Sequence, residues 1–122
     1  MKRLLTACAV IVCITQFSSC YYDNEQLLYG EQTCNNETVT FAANVSTIIN
    51  RNCIQCHSAS MNSGGVTLEG YENVRVHAES GRLIGAVTHA GGFSPMPKNA
   101  PKLSDCDIDA IQKWVNEGAL NN

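Results

Sequence analysis

Three side chains within one pentapeptide carry the clearest chemistry in this sequence. Cys53, Cys56 and His57 form a C-x-x-C-H motif, which brings two thiols and an imidazole together on a short stretch of chain. Thiols at this spacing can add to the two vinyl groups on neighbouring edges of a porphyrin, and the adjacent imidazole then lies under the iron. The motif therefore predicts one covalently attached haem c, bound through Cys53 and Cys56, with His57 as the proximal iron ligand.

Two other interpretations of the same cysteine pair stay open at this point. A thioredoxin-like redox pair also has the C-x-x-C spacing, but it requires a βαβ context that the surrounding sequence does not show. A zinc site would combine Cys53 and Cys56 with two further ligands, and the chain has no second pair at metal-binding spacing.

A haem that transfers electrons usually has a second axial ligand, and Met96 is the candidate that we favour. It lies between Pro95 and Pro97. Prolines fix their own φ angle and bias the preceding residue toward extended backbone, so the segment is expected to be stiff and extended. Such a segment can hold a thioether over one face of a porphyrin. A thioether ligand also raises the reduction potential relative to a second imidazole.

Other side chains compete for that second axial position. His89, seven residues before the favoured methionine, is the main competitor. His77 is expected on the polar, solvated side of a short helix. Met61 follows His57 by only four residues, which is too close in the chain to reach the opposite face of a porphyrin easily. We therefore expect neither His77 nor Met61 to bind the iron.

The N-terminal region has the organisation of a secretory signal peptide over residues 1–19. Lys2 and Arg3 are followed by an apolar run at 4–14 and then by small polar residues before Cys20. The apolar run is too short to span a membrane comfortably, and a short retained anchor is the alternative. Residues 17–20, F-S-S-C, resemble a bacterial lipoprotein box, which implies cleavage before Cys20 and attachment of membrane lipid to it.

Net charge limits the partners of the exported chain. Removal of residues 1–19 takes away Lys2 and Arg3 and leaves six basic against eleven acidic residues, a net charge of −5. An acidic protein of this size is not expected to bind nucleic acid. Its charge instead favours a basic docking patch on a redox partner protein of the cell envelope.

Two further cysteines, Cys34 and Cys106, belong to neither the motif nor the leader. In an oxidising envelope compartment such a leftover pair most simply forms a disulfide, which could stabilise the fold by about 2–4 kcal/mol. Two free thiols are the alternative. The disulfide would connect the segment before the first helix to the last helix.

Hydrophobic periodicity predicts an all-α domain. Helical patterns cover four segments, at about 41–52, 71–79, 82–88 and 104–118. Apolar residues recur at i, i+4, i+7 and i+8 in the first of them, and an S-x-x-D capping box at Ser104 opens the last. The apolar residues expected to surround a haem are Phe41, Ile48, Leu68, Leu83, Val87, Ile108, Ile111 and Trp114.

Five stretches together resemble a class I monohaem cytochrome c domain, in the short form found in planctomycete and Bacteroidetes envelope proteins. They are N-C-I-Q-C-H at 52–57, G-V-T-L at 65–68 followed by Tyr71, P-M-P-K at 95–98, L-S at 103–104 and I-Q-K-W-V-N-E-G-A at 111–119. The resemblance implies a small cytochrome c fold of three to four helices around one haem, with thioether links at Cys53 and Cys56. It implies iron ligation by His57 and Met96, and packing of Trp114 near the haem and the first helix.

The sequence thus predicts a signal peptide at 1–19, a tether and arm at 20–40, and a cytochrome c domain at 41–122. The expected function is single-electron transfer between envelope redox partners, by a non-enzymatic protein held by lipid on the periplasmic side of a bacterial membrane or on the outer surface. A haem enzyme or gas sensor with an open or labile axial site is the alternative. A structural or interaction lipoprotein without haem is the third possibility.

Overall fold

The computed structural model describes residues 34–122, which form a helical domain without strands in this range. The predicted signal peptide, the lipidation site Cys20 and most of the predicted tether lie outside the described residues. The helices are a π-helical segment Phe41–Val45, α1 Ser46–Asn52, α2 Ile54–His57, α3 Tyr71–Glu79, α4 Arg82–Val87 and α5 Asp105–Asn116. A 3-10 turn, Ser63–Gly65, precedes α3. The all-α prediction is confirmed for this part of the chain.

The first predicted helix, 41–52, is divided into the π-helical segment and α1, and the further short helix α2 follows it, so residues 34–122 contain five α-helices rather than three to four. The Thr40 hydroxyl accepts a hydrogen bond from the Ala43 N–H, which caps the π-helical segment. At Cys53 the backbone leaves the helical region, at φ −122° and ψ −39°. The chain nevertheless continues helically, because the His57 N–H donates to the Cys53 carbonyl at 2.9 Å. Residues 54–57 of the C-x-x-C-H motif therefore form their own short helix, α2, and Cys53 precedes it as the N-cap.

The core forms where α5 packs against the π-helical segment and α4, and where α3 packs against α4. Trp114 on α5 is almost fully buried, at 1% exposure, and its indole N–H donates to the Leu120 carbonyl. Phe41 and Tyr71 contact the same indole ring, with centroids 5.6 and 6.5 Å away. This aromatic cluster, Phe41, Tyr71 and Trp114, joins the first and last helical segments, as the resemblance implied for Trp114 and the first helix.

Six of the eight apolar residues that were expected to surround a haem are buried in the core, and three of these, Leu68, Leu83 and Val87, line the cleft described below. Ile48, Leu68, Leu83, Val87, Ile111 and Trp114 are buried, whereas Phe41 and Ile108 are only partly buried and pack against the core.

Cys34 and Cys106 lie at disulfide distance, with Cα atoms 5.3 Å apart, as predicted for the two cysteines outside the motif and the leader. The bond closes a loop between positions 72 residues apart in the chain. The Lys113 ammonium group adds to this link by donating to the Asn36 and Glu37 carbonyls. The Asn36 side-chain amide also donates to the Cys106 carbonyl at 3.1 Å. The segment before the π-helical segment is therefore attached to α5 by the disulfide and by three hydrogen bonds.

The N-terminus of α5 follows the predicted cap. The Asp107 N–H donates to the Ser104 hydroxyl oxygen at 3.2 Å. The Asp107 carboxylate accepts a hydrogen bond from the Arg51 guanidinium group at 2.7 Å, which connects α5 to α1. Within residues 34–122, no helix is both long and apolar enough to cross a membrane.

Candidate functional site

The orientation of His57 is determined by the chain segment that follows the 3-10 turn. The His57 Nδ1 atom lies 3.1 Å from the Val66 carbonyl oxygen. A carbonyl can only accept a hydrogen bond, so Nδ1 carries the proton and the neutral ring keeps its lone pair on Nε2. The Leu68 N–H donates to the His57 carbonyl at 2.8 Å. The ring is thus held in the tautomer that a metal ligand needs, by the kind of backbone contact that orients metal-binding histidines.

The two cysteines of the motif are both free thiols and differ in exposure. Cys53 is half-buried, and Cys56 is exposed. Burial raises the pKa of the Cys53 thiol to about 11. Catalytic dithiols and thiolate metal ligands depend on a lowered pKa, so the environment of Cys53 does not support the thioredoxin-like interpretation. Within residues 34–122, no three Cys, His, Asp or Glu side chains come together as a metal-binding group.

Met96 is distant from the motif in the sequence but lines the same cleft. Its N–H donates to the Ala86 carbonyl at 3.0 Å, which ties the segment 94–97 to α4. The methionine is half-buried and lines the cleft together with Cys53 and His57. The structure thus brings one thiol, the imidazole and the thioether of the predicted site to one cleft, with the second thiol on the same short helix.

The remaining walls of this cleft are largely apolar. Leu68 comes from the segment after the 3-10 turn, and Leu83 and Val87 come from α4. The polar side chains at the cleft are His77, Arg82 and Ser94. The full lining consists of Cys53, His57, Val66, Leu68, His77, Arg82, Leu83, Ala86, Val87, Phe93, Ser94 and Met96. An apolar cleft that offers a thiol, an imidazole and a thioether has a donor set that fits haem c.

The competing ligand candidates occupy different environments. His89 is not among the cleft-lining residues, and its Nε2 atom lies 3.1 Å from the Met96 carbonyl oxygen. It borders a separate shallow groove together with Pro95 and Pro97. Met61 is 62% exposed. The assignment of Met96 as the sixth ligand stays a prediction, but of these candidates only Met96 and His77 line the cleft.

His77 differs from its expected position. It was expected in solvent on the polar side of a helix, but it is half-buried and lines the cleft. Burial is the main cause that lowers the pKa of His77, and the positive charge of Arg82 and the proximity of His57 lower it further. The neutral imidazole is therefore favoured at this edge of the cleft.

Sequence reasoning missed a close contact between α4 and the loop that carries Met96. A Cβ atom at Gly85 would lie 2.5 Å from the ring of Phe93, so the ring fits only because residue 85 has no side chain. Phe93 is 41% exposed and also lines the cleft. An aromatic residue within the glycine-rich stretch 91–93 is the one sequence signal that could have indicated this contact.

Comparison with protein-family models, curated proteins and solved structures finds no match for this chain.

Proposed function

We propose that this protein is a monohaem c-type cytochrome that carries single electrons between redox partners of the bacterial cell envelope. The observation that carries the proposal is the convergence of Cys53, His57 and Met96 on one apolar cleft. The hydrogen bond from His57 Nδ1 to the Val66 carbonyl adds to it, because it leaves Nε2 free to bind iron.

Each side chain has a distinct role in this proposal. Cys53 and Cys56 would hold the haem by adding one thiol S–H each across a vinyl C=C bond. This addition would form a C–S bond and place the hydrogen on the neighbouring carbon, so no external oxidant is needed. His57 and Met96 would be the side chains that bind the iron, and their ligation would keep other ligands away from it. When bound, the haem supplies reversible Fe(III)/Fe(II) chemistry.

The location of the protein is part of the same proposal. The Cys34–Cys106 disulfide supports an oxidising compartment, because disulfides are rare in the cytosol. Cleavage of residues 1–19 and lipid attachment at Cys20 would then hold the domain at a membrane, on the periplasmic side or on the outer surface. The proposed partners are the membrane lipid at Cys20 and a redox protein with a basic docking patch, since the mature chain is acidic.

A visible spectrum of the matured protein tests the proposed function against its alternatives. A low-spin ferric spectrum with the weak long-wavelength sulfur-to-iron band, and no change when carbon monoxide is added to the reduced protein, would support an electron carrier. A high-spin spectrum that shifts with carbon monoxide would instead indicate a haem enzyme or gas sensor with an open axial site. Protein without bound haem after expression with a cytochrome-maturation system would indicate a structural or interaction role.

A further inference from the structure

Helix α4 ends in a left-handed turn that is occupied by a histidine. The Ala90 N–H donates to the Gly85 carbonyl and the His89 N–H donates to the Ala86 carbonyl, which is the hydrogen-bond pattern of a Schellman motif. His89 takes the left-handed position of this motif, at φ +56°. Glycine, which has no Cβ atom, or asparagine is the usual residue there.

The imidazole of His89 contacts the backbone of Met96. Its Nε2 atom lies 3.1 Å from the Met96 carbonyl oxygen, and since a carbonyl only accepts, Nε2–H is the donor. The N–H of Met96 donates to the Ala86 carbonyl at 3.0 Å. Both polar backbone groups of Met96 are thus hydrogen-bonded to the C-terminal end of α4, one to its backbone and one to the imidazole that follows it.

We propose that His89 is a positioning residue for Met96, which restrains the backbone of this residue so that the thioether stays over the cleft. This inference rests on the proposed function, because it assigns Met96 to the iron. His89 does not line the cleft, so it acts through the carbonyl of Met96 and not as a ligand itself. The same hydrogen bond occupies the Nε2 atom with which His89 could have competed for the metal.

The restraint should show in the competition between the thioether and an external ligand. Imidazole binds ferric iron only when the Met96 sulfur leaves it, so its affinity measures how firmly the methionine is held. Loss of one neutral hydrogen bond should increase that affinity about threefold to tenfold.

A matched pair of amide variants separates the side-chain contact from the backbone conformation. His89→Asn keeps a residue that tolerates the left-handed turn well, but its amide is too short to reach the Met96 carbonyl. His89→Gln has the longer reach and can replace the donor, but it fits the left-handed turn less well. If the hydrogen bond restrains Met96, His89→Asn should be the variant with the higher affinity for imidazole. If only the backbone turn matters, His89→Gln should be that variant.

The experiment titrates the matured, haem-loaded wild type and both variants with imidazole and records the sulfur-to-iron band. We expect imidazole affinity about threefold to tenfold higher for His89→Asn and within about twofold of wild type for His89→Gln. Equal affinities in all three proteins, or a larger increase for His89→Gln, would overturn the role of His89 and leave the proposed function standing. A wild type without the sulfur-to-iron band or without haem would overturn both.

Discussion

His57 is oriented by a residue nine positions further along the chain, because its Nδ1–H donates to the Val66 carbonyl across 3.1 Å. This contact joins the short helix α2 to the segment after the 3-10 turn, and the hydrogen bond from the Leu68 N–H to the His57 carbonyl closes the same connection. Because the acceptor is a backbone atom, the orientation depends on the path of the chain and not on the type of side chain at position 66. The imidazole that we propose as the proximal ligand is therefore oriented by backbone contacts of the fold.

Replacing Met96 with alanine tests the sixth ligand. Met96→Ala should remove the sulfur-to-iron band, let the reduced protein bind carbon monoxide and lower the reduction potential, because thioether ligation raises it. Met61→Ala is the matched control, since Met61 is 62% exposed and does not line the cleft. An unchanged spin state and potential in Met96→Ala would show that another residue is the sixth ligand, and His77 would be the next candidate.

The contact between Gly85 and Phe93 predicts a steric effect on the loop that carries Met96. Gly85→Ala should lower the free energy of unfolding by about 1–3 kcal/mol, because its Cβ atom would overlap the Phe93 ring. Gly91→Ala is the control, since a Cβ atom there meets nothing within 4 Å. Denaturant unfolding measures both variants.

A double variant shows whether the overlap is the cause. In a chain that already carries Phe93→Ala, the substitution Gly85→Ala should lower the free energy of unfolding by less than it does alone. The ring that its Cβ atom would overlap is then absent. Fully additive effects of the two substitutions would contradict the proposed contact.

The Cys34–Cys106 disulfide should contribute substantially to stability because it closes a long loop in the unfolded chain. The double variant Cys34→Ser/Cys106→Ser is expected to lose about 2–4 kcal/mol of unfolding free energy, measured by urea denaturation. Wild-type protein treated with reductant should behave like the variant. Arg51→Ala, which removes an exposed ion pair with Asp107, is the control and should cost less than about 1 kcal/mol. A disulfide variant as stable as wild type would contradict the loop-closure argument.

Local sequence signals predicted the helices well. The helix Tyr71–Glu79 has the predicted bounds, and Ser104 caps α5 as its S-x-x-D pattern indicated. These features depend on residues three or four positions apart, so they can be recognised without the rest of the molecule. The first helical stretch ends at Asn52, as predicted, but its division after Val45 and the separate helix α2 were not predicted.

Contacts between distant segments were harder to predict. The sequence predicts His77 on the polar side of its helix. Because α3 packs against α4, the His77 side chain is instead half-buried at the cleft. His89 was considered as an iron ligand, whereas its imidazole contacts the Met96 backbone. Both outcomes depend on how α4 and the loop after it lie in space. The motif residues, the candidate Met96 and the disulfide pair could be named from the sequence because each has a distinctive type or spacing.

The most direct test of the central claim is the mass of the polypeptide after maturation. The wild-type chain, expressed with a cytochrome-maturation system and analysed under denaturing conditions that remove non-covalent ligands, should carry the mass of one haem. The variant Cys53→Ala/Cys56→Ala should have the mass of the polypeptide without haem. A wild-type chain that also carries no added haem mass would contradict the proposal that Cys53 and Cys56 bind haem c.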